Sequence, residues 1–274
     1  MEYKIIASDL DGTFLNKQET VSPENFQALE RLAQLGVHFV PTSGRSYAEM
    51  PKQLQQCPLI RYYIGSDGST VYDKLTNTTH SLSLPKDLGH LVLDKLFSYP
   101  VSIMLHADNR SYVDASRHFA ADYRAHNYND SWLRFVLETN TPVEDFKAFA
   151  YAHDKIEEFC VFFQNLEDLQ ECQAYFESNP ELLVAQTNQY NLEVFWKNAG
   201  KGNALMLLAD ILGVDRAATI AVGDSTNDLT MVQQAGLGLA MANAAEALKA
   251  AADAVICDND HHSAKYILEH YIEA

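Results

Sequence analysis

The sequence predicts an α/β protein whose core is a doubly wound, mostly parallel sheet made of both chain ends, with an inserted α+β module between them. Three observations point there. A short apolar run at residues 3–8 stops abruptly at Asp9, as a buried parallel strand does where it meets a loop. A helix and a second such run follow, which is the βαβ pattern. The pattern of apolar runs with polar ends lapses after about Leu84 and resumes after Lys201-Gly202.

The elements follow in order. Ser22-Pro23 supplies an N-cap and first-turn proline for a helix whose Phe26, Leu29, Leu32 and Ala33 share a face, and Gly36 ends it. Residues 37–40 read as the second strand, ending in Thr42-Ser43-Gly44-Arg45. Pro51 interrupts the helical stretch 47–55, so a kink or a late helix start is expected there. Residues 62–64 and 70–72 flank Gly65-Ser66-Asp67-Gly68 as a hairpin.

The inserted module is expected to span 85–188, leaving 1–84 and 189–274 for the core. Within it, 87–98, 143–153 and 166–178 are helical, the last behind an Asn165 cap, and 101–105, 111–113, 159–163 and 182–186 are strands. Residues 192–195 read as a closing strand. The core then returns with a helix at 203–212 and a strand at 219–222 that ends in Gly223-Asp224-Ser225-Thr226-Asn227-Asp228. A helix, a strand at 237–240, an Ala-rich helix at 244–252, a strand at 254–256 and a last helix after Asp260 complete it.

Composition narrows the function. Of 274 residues, 47% are hydrophobic and 21% charged, as in ordinary globular proteins. A formal net charge of −17 argues against a nucleic-acid or anionic-membrane partner. A small anionic substrate would need locally placed cations. Cys57, Cys160, Cys172 and Cys257 form no metal-binding or disulfide pattern and read as buried thiols. With charge close to the N-terminus and no long apolar run, the expectation is an unprocessed cytoplasmic protein.

In open α/β sheets ligands bind beyond the carboxyl ends of the strands. There the inferred strands present Asp9 and Asp11, then Ser43-Gly44-Arg45, then Asp224, Asn227 and Asp228. Asp9 and Asp11 flank one residue and Gly12 lets the chain turn after them. A carboxylate cluster of this kind repels itself unless a cation neutralises it, and an all-oxygen site suits Mg²⁺. One carboxylate can attack phosphorus while a second manages the proton. Ser43, the Gly44 amide, Lys201 and Asn227 are suited to phosphoryl oxygens.

Each segment alone has an ordinary reading. Asp-x-Asp is common in turns, Asn227-Asp228 could cap the next helix, and Lys201 and Arg45 could be surface cations. Their joint occurrence in order at strand ends is what carries weight.

The four segments DLDGT, TSGR, KG and GDSTND resemble the four motifs of the haloacid-dehalogenase-like hydrolase superfamily. The insertion between the second and third is similar to that of its Cof-type, subfamily IIB sugar-phosphate phosphatases, with a Rossmann-like core and a C2-type cap. Gly236-Leu237-Gly238 and Met241-Ala242-Asn243-Ala244 extend the likeness. The resemblance implies that Asp9 is the nucleophile and Asp11 the general acid/base. It also implies Mg²⁺ on Asp9, the Asp11 carbonyl and Asp224, with Asp228 in the outer shell. Ser43, Gly44, Lys201 and Asn227 would hold the phosphoryl group, and Arg45 would lie near the substrate's entry. The implied partner is a small phosphorylated metabolite.

Two departures stand out. Asp67-Gly68 replaces the family's usual Asn-Gly, adding an acid that would alter substrate preference or face solvent. Asp258-Asn259-Asp260-His261-His262 is unusual too, and reads as a capped helix start rather than a metal site, since adjacent side chains on a helix diverge. Tyr123, Tyr128, Trp132, Phe162 and Phe163 are expected mainly in the cap core. Two other readings are a phosphomutase of similar cap type and a phospho-aspartate signalling module; the second acid and the lid argue against the latter.

Overall fold

The computed structural model describes residues 2–117, 130–186 and 188–274, with Ser131 and Trp132 described in backbone only. Along the chain come β1 (Ile5–Asp9), β2 (His38–Thr42), β3 (Tyr62–Gly65), β4 (Thr70–Asp73) and β5 (Thr78–Ser81). Next are β6 (Val101–Ala107), β7 (Arg110–Asp114), β8 (Asn140–Val143), β9 (Glu158–Phe163), β10 (Leu182–Ala185) and β11 (Asn191–Trp196). The chain ends with β12 (Thr219–Gly223), β13 (Leu237–Ala240) and β14 (Ala254–Val255).

The first compact unit comprises residues 1–44, 50–80 and 200–274. Its sheet runs β14-β13-β12-β1-β2-β3-β4-β5, and the pairs from β14 to β3 are parallel. β1 lies between β2 and β12, strands of opposite ends of the chain, so the strand order reverses there and opens a crevice at the carboxyl edge. All five β1 residues are buried, which is why Ile5, Ile6 and Ala7 run on without alternating with polar residues. Ile5, Ala7, Val40 and Ile64 pack with Ala204, Leu205 and Leu208 of the helix Lys201–Leu212.

Local signals act as expected. The Ser22 side chain accepts from Asn25 N at 3.2 Å to start the helix Pro23–Gln34, an arrangement worth about 1 kcal/mol. The late helix start at Pro51 is also found: a single tight turn at Tyr47–Glu49 precedes it and the helix Lys52–Gln55 follows. The expected capped helix start near His261 is corrected. The helix Ser263–Ile267 follows His262, whose φ of 60° is left-handed and whose side chain makes no cap. Asp258 instead closes the preceding turn, accepting from Asp260 N at 3.0 Å.

The second unit comprises residues 45–49 and 81–199. Its sheet, β10-β11-β9-β6-β7-β8, is antiparallel except between β7 and β8. The helices Lys86–Leu96, Phe146–Ala152 and Leu166–Glu177 cover one face, where Phe163 joins Leu93, Phe159, Phe176 and Val194 in the main core. Phe162 lies in a smaller cluster with Met104, Val113, Leu133 and Cys160. Both phenylalanines are therefore core residues. Tyr123, Tyr128 and the Trp132 side chain lie outside the described residues.

The expected 85–188 boundaries shift. β11 belongs to the second unit because it pairs with β9 and β10, so the unit runs to Ala199 rather than ending at 188. At the other edge Leu84 N donates to Ile156 O at 2.8 Å, and segment 45–49 is bound by Ala48 N to Asn109 O at 3.0 Å. The structure also adds the helix Asp130–Thr139 and β8, in a stretch where the sequence pattern assigns nothing, and starts the next helix at Phe146 behind an Asp145 cap. Among the described residues no helix is long and apolar enough to cross a membrane.

Candidate active site

β1 delivers Asp9 to the carboxyl edge of the sheet, level with Thr42 on β2, and β12 delivers Gly223 beside it. The chain then turns at once through Asp11 and Gly12, the latter at φ 81°. A Cβ on Gly12 would lie 2.5 Å from Asp224 Oδ2, so only glycine lets the two loops meet. Thr13 Oγ1 donates to Asp224 Oδ1 at 3.1 Å, and Asn243 Nδ2 donates to Gly12 O at 2.8 Å.

Lys201 opens the helix that follows Gly200. Its ammonium, 1% exposed, donates to Asp9 Oδ1 at 2.7 Å and to Asp228 Oδ1 at 2.6 Å. The other Asp228 oxygen accepts from the backbone N–H of Asp224 and of Ser225, both at 3.0 Å. Asp228 thus ties Lys201 to the loop that carries Asp224; its side chain reaches back to that loop and makes no cap on the following helix Leu229–Gln234, contrary to the ordinary reading of Asn227-Asp228.

Carboxylate oxygens of Asp9, Asp224 and Asp228 lie within 4.8 Å of one another. Burial pulls the Lys201 ammonium down, but Asp228, Asp9 and Asp67 outweigh it and hold the group well above the usual lysine value. One ammonium offsets only one of the two carboxylates it touches. The surplus appears at Asp9, pushed well above the carboxylate range by burial and by Asp228 despite Lys201. Burial and Asp228 likewise push Asp224 up to about 6. Three crowded oxygen donors with unfavourable charge are what a hard divalent cation would relieve, so the residues fit such an ion.

Ser43 and Gly44 continue from β2, with Ser43 N donating to Ile64 O at 3.0 Å. Asp67 faces them: its N–H donates to Ser43 O at 3.2 Å, and its Oδ2 lies 3.0 Å from where a Gly44 Cβ would stand. Asn227 Nδ2 donates to Asp67 Oδ1 at 3.0 Å. The structure therefore brings together Asp9, Asp11, Ser43, Gly44, Lys201, Asp224, Asn227 and Asp228 in the first unit. It does not leave Asp67 to solvent, since that side chain is buried. Arg45 belongs to the second unit, its guanidinium 4.8 Å over the Phe135 ring.

A haloacid dehalogenase-like hydrolase model matches residues 6–268, nearly the whole chain. The chain belongs to that family. Within it the protein is a phosphatase. It is 27% identical to the phosphatase YwpJ of Bacillus subtilis, covering 98% of this chain and all of that protein. It is 26% identical to the same organism's 5-amino-6-(5-phospho-D-ribitylamino)uracil phosphatase YwtE, over 97% of both chains. A solved haloacid dehalogenase-like hydrolase from B. subtilis superposes with a TM-score of 0.81 at 27% identity, covering 98% of this chain and 99% of that one.

Sequence reasoning missed two members of this family site. Thr13 stands inside the first motif but its role as the Asp224 anchor depends on a residue 211 positions away. Asn243 lies in a segment that resembles the family, yet nothing local marks its side chain as the clasp on Gly12. The histidines go separate ways, His261 Nδ1 to Asp258 Oδ1 at 2.6 Å and His262 Nδ1 to Ser22 Oγ at 2.9 Å.

Proposed function

We propose that the protein is a Mg²⁺-dependent phosphomonoesterase of small cytoplasmic phosphorylated metabolites, sugar phosphates among them, working through an aspartyl-phosphate on Asp9. The observation that carries this reading is the Asp9 carboxylate at the end of the central strand, bonded to Lys201 and crowded by Asp224 and Asp228.

Asp9, the Asp11 carbonyl and Asp224 would hold the ion. Asp228 stands behind them, because both its oxygens are already engaged by Lys201 and by backbone N–H groups. The ion, when bound, offsets the repulsion between a carboxylate nucleophile and an anionic ester.

The Asp9 carboxylate attacks phosphorus, forming the acyl-phosphate bond as the ester P–O bond breaks, and Asp11 gives its proton to the departing alkoxide. Asp11, now ionised, takes a proton from water. The resulting hydroxide attacks phosphorus, the bond to Asp9 breaks, and inorganic phosphate leaves. Lys201 stays charged throughout because the carboxylates of Asp228 and Asp9 outweigh the cost of burying the ammonium. It thereby offsets the charge on the transferring phosphoryl group, while Ser43, the Gly44 N–H and the Asn227 amide hold its oxygens.

Phosphate release from a panel of phosphorylated metabolites, measured with Mg²⁺ and with EDTA, tests the reaction and finds the substrate. Turnover undiminished by EDTA would remove the metal from the proposal.

A further inference from the structure

Asp67 is a charge that a phosphate site should not contain. Its side chain is 2% exposed, in a turn where Ser66 and Asp67 both hold left-handed backbone, φ 49° and 46°. Oδ1 accepts from Asn227, whereas Oδ2 is buried and has no hydrogen-bond partner. Oδ2 sits against Gly44, the backbone N–H is tied to Ser43, and the negative charge acts on Lys201. Asp67 therefore borders Ser43, Gly44, Lys201 and Asn227, the groups to which the preceding reading gives the phosphoryl oxygens. The inference rests on that reading.

A buried carboxylate oxygen without a donor is unfavourable, and the nearby Lys201 ammonium is committed elsewhere. Lys201 bonds Asp9 and Asp228, and no hydrogen bond from it reaches Oδ2. An anion oxygen without a proton would face Oδ2 as acceptor against acceptor and charge against like charge. An oxygen that carries a proton would supply the donor that Oδ2 lacks.

Oδ1 has a separate effect. A carboxylate only accepts, so it turns the NH₂ end of the Asn227 amide toward itself, and the Ser225 hydroxyl meets the amide oxygen.

We propose that Asp67 is a specificity-determining residue: its Oδ2 accepts a hydrogen bond from a proton-bearing oxygen of the bound phosphate, while its Oδ1 positions Asn227. The site thereby selects phosphate species that carry a proton over isosteric anions that carry none.

Inorganic phosphate and sulfate separate the two cases, because phosphate keeps a proton at pH 7 and sulfate does not. Both are measured as competitive inhibitors of aryl-phosphate hydrolysis by the Mg²⁺-loaded enzyme and by Asp67→Asn. The variant tolerates the left-handed backbone, keeps an acceptor for Asn227, and puts an NH₂ donor where Oδ2 was.

Wild type is expected to bind phosphate about 100-fold tighter than sulfate, and Asp67→Asn to narrow that ratio about tenfold or more by gaining sulfate affinity. A merely structural role would weaken both anions alike and leave the ratio in place. An unchanged ratio in a variant of native circular dichroism, or equal affinities in the wild type, overturns the proposal. If phosphate does not compete with substrate at all, the phosphoryl site itself is misassigned and the inference falls with it.

Discussion

The Lys201 ammonium lies 2.7 Å from Asp9 Oδ1, and 2.6 Å on its other side is Asp228 Oδ1, all three groups buried. This bridge joins the end of β1 to the loop after β12, so the same contact holds the first unit's crevice together and sets the charge of the proposed nucleophile. Its energetics differ from those of a surface ion pair, whose partners return to water when separated.

Removing the ammonium should be costly. Lys201→Met keeps the side chain's bulk but leaves Asp9 and Asp228 without their shared cation, and breaking a buried pair in this way destabilises by about 3–5 kcal/mol. Thermal unfolding of the metal-free variant should show that loss, and Mg²⁺ should recover part of it by mass action. An unchanged melting temperature would mean the bridge does not bear on stability.

Asp9→Asn should dissociate activity from stability. Burial and Asp228 raise the Asp9 carboxyl, so carrying its charge costs the fold stability. Removing the charge should leave the metal-free melting temperature equal or higher. Phosphate release should drop about a thousandfold or more, the scale of losing a covalent nucleophile. Substantial residual turnover would take the nucleophile's role from Asp9.

Much of this site was legible in the sequence because its parts are local: an apolar run that ends in Asp9-x-Asp11, another in Ser43-Gly44, another in Asp224. What was not legible depends on distant partners. Asp67 reads as a turn acid until Asn227, 160 positions on, and Gly44 enclose it. β11 alternates like any closing strand, and only its pairing with β9 assigns it to the second unit. His261 and His262 invite a metal reading that their separate partners, Asp258 and Ser22, do not support.

Acid should weaken the first unit through Asp73. The Arg61 guanidinium, with bonds of 3.0 and 2.7 Å, holds its carboxyl at about 2. A depressed carboxyl stabilises the fold above its unfolded value near 4, and that contribution is lost as pH falls through about 2. Arg61 is partly exposed, so solvent screening reduces the gain to about 1 kcal/mol. Asp73→Asn should therefore be less stable than wild type at pH 7, with the gap closing between pH 4 and 2 in denaturant titrations. A gap that persisted at pH 2 would assign the effect to packing instead.

Gly12→Ala tests whether the turn exists to admit Asp224. Alanine at φ 81° is strained by roughly 1–2 kcal/mol, and its Cβ would also stand 2.5 Å from Asp224 Oδ2. Relief comes by moving Asp224, which would break the 3.1 Å bond from Thr13 and spread the three carboxylates apart. The expected result is a higher Mg²⁺ requirement for half-maximal phosphate release, by about tenfold, together with the loss in melting temperature. Gly36→Ala is the control: its φ of 72° carries the same backbone strain with no atom within 4 Å of the added Cβ. It should lower the melting temperature and leave the Mg²⁺ requirement as it was. If both variants shift only stability, the turn is a backbone device and Asp224 is positioned by something else.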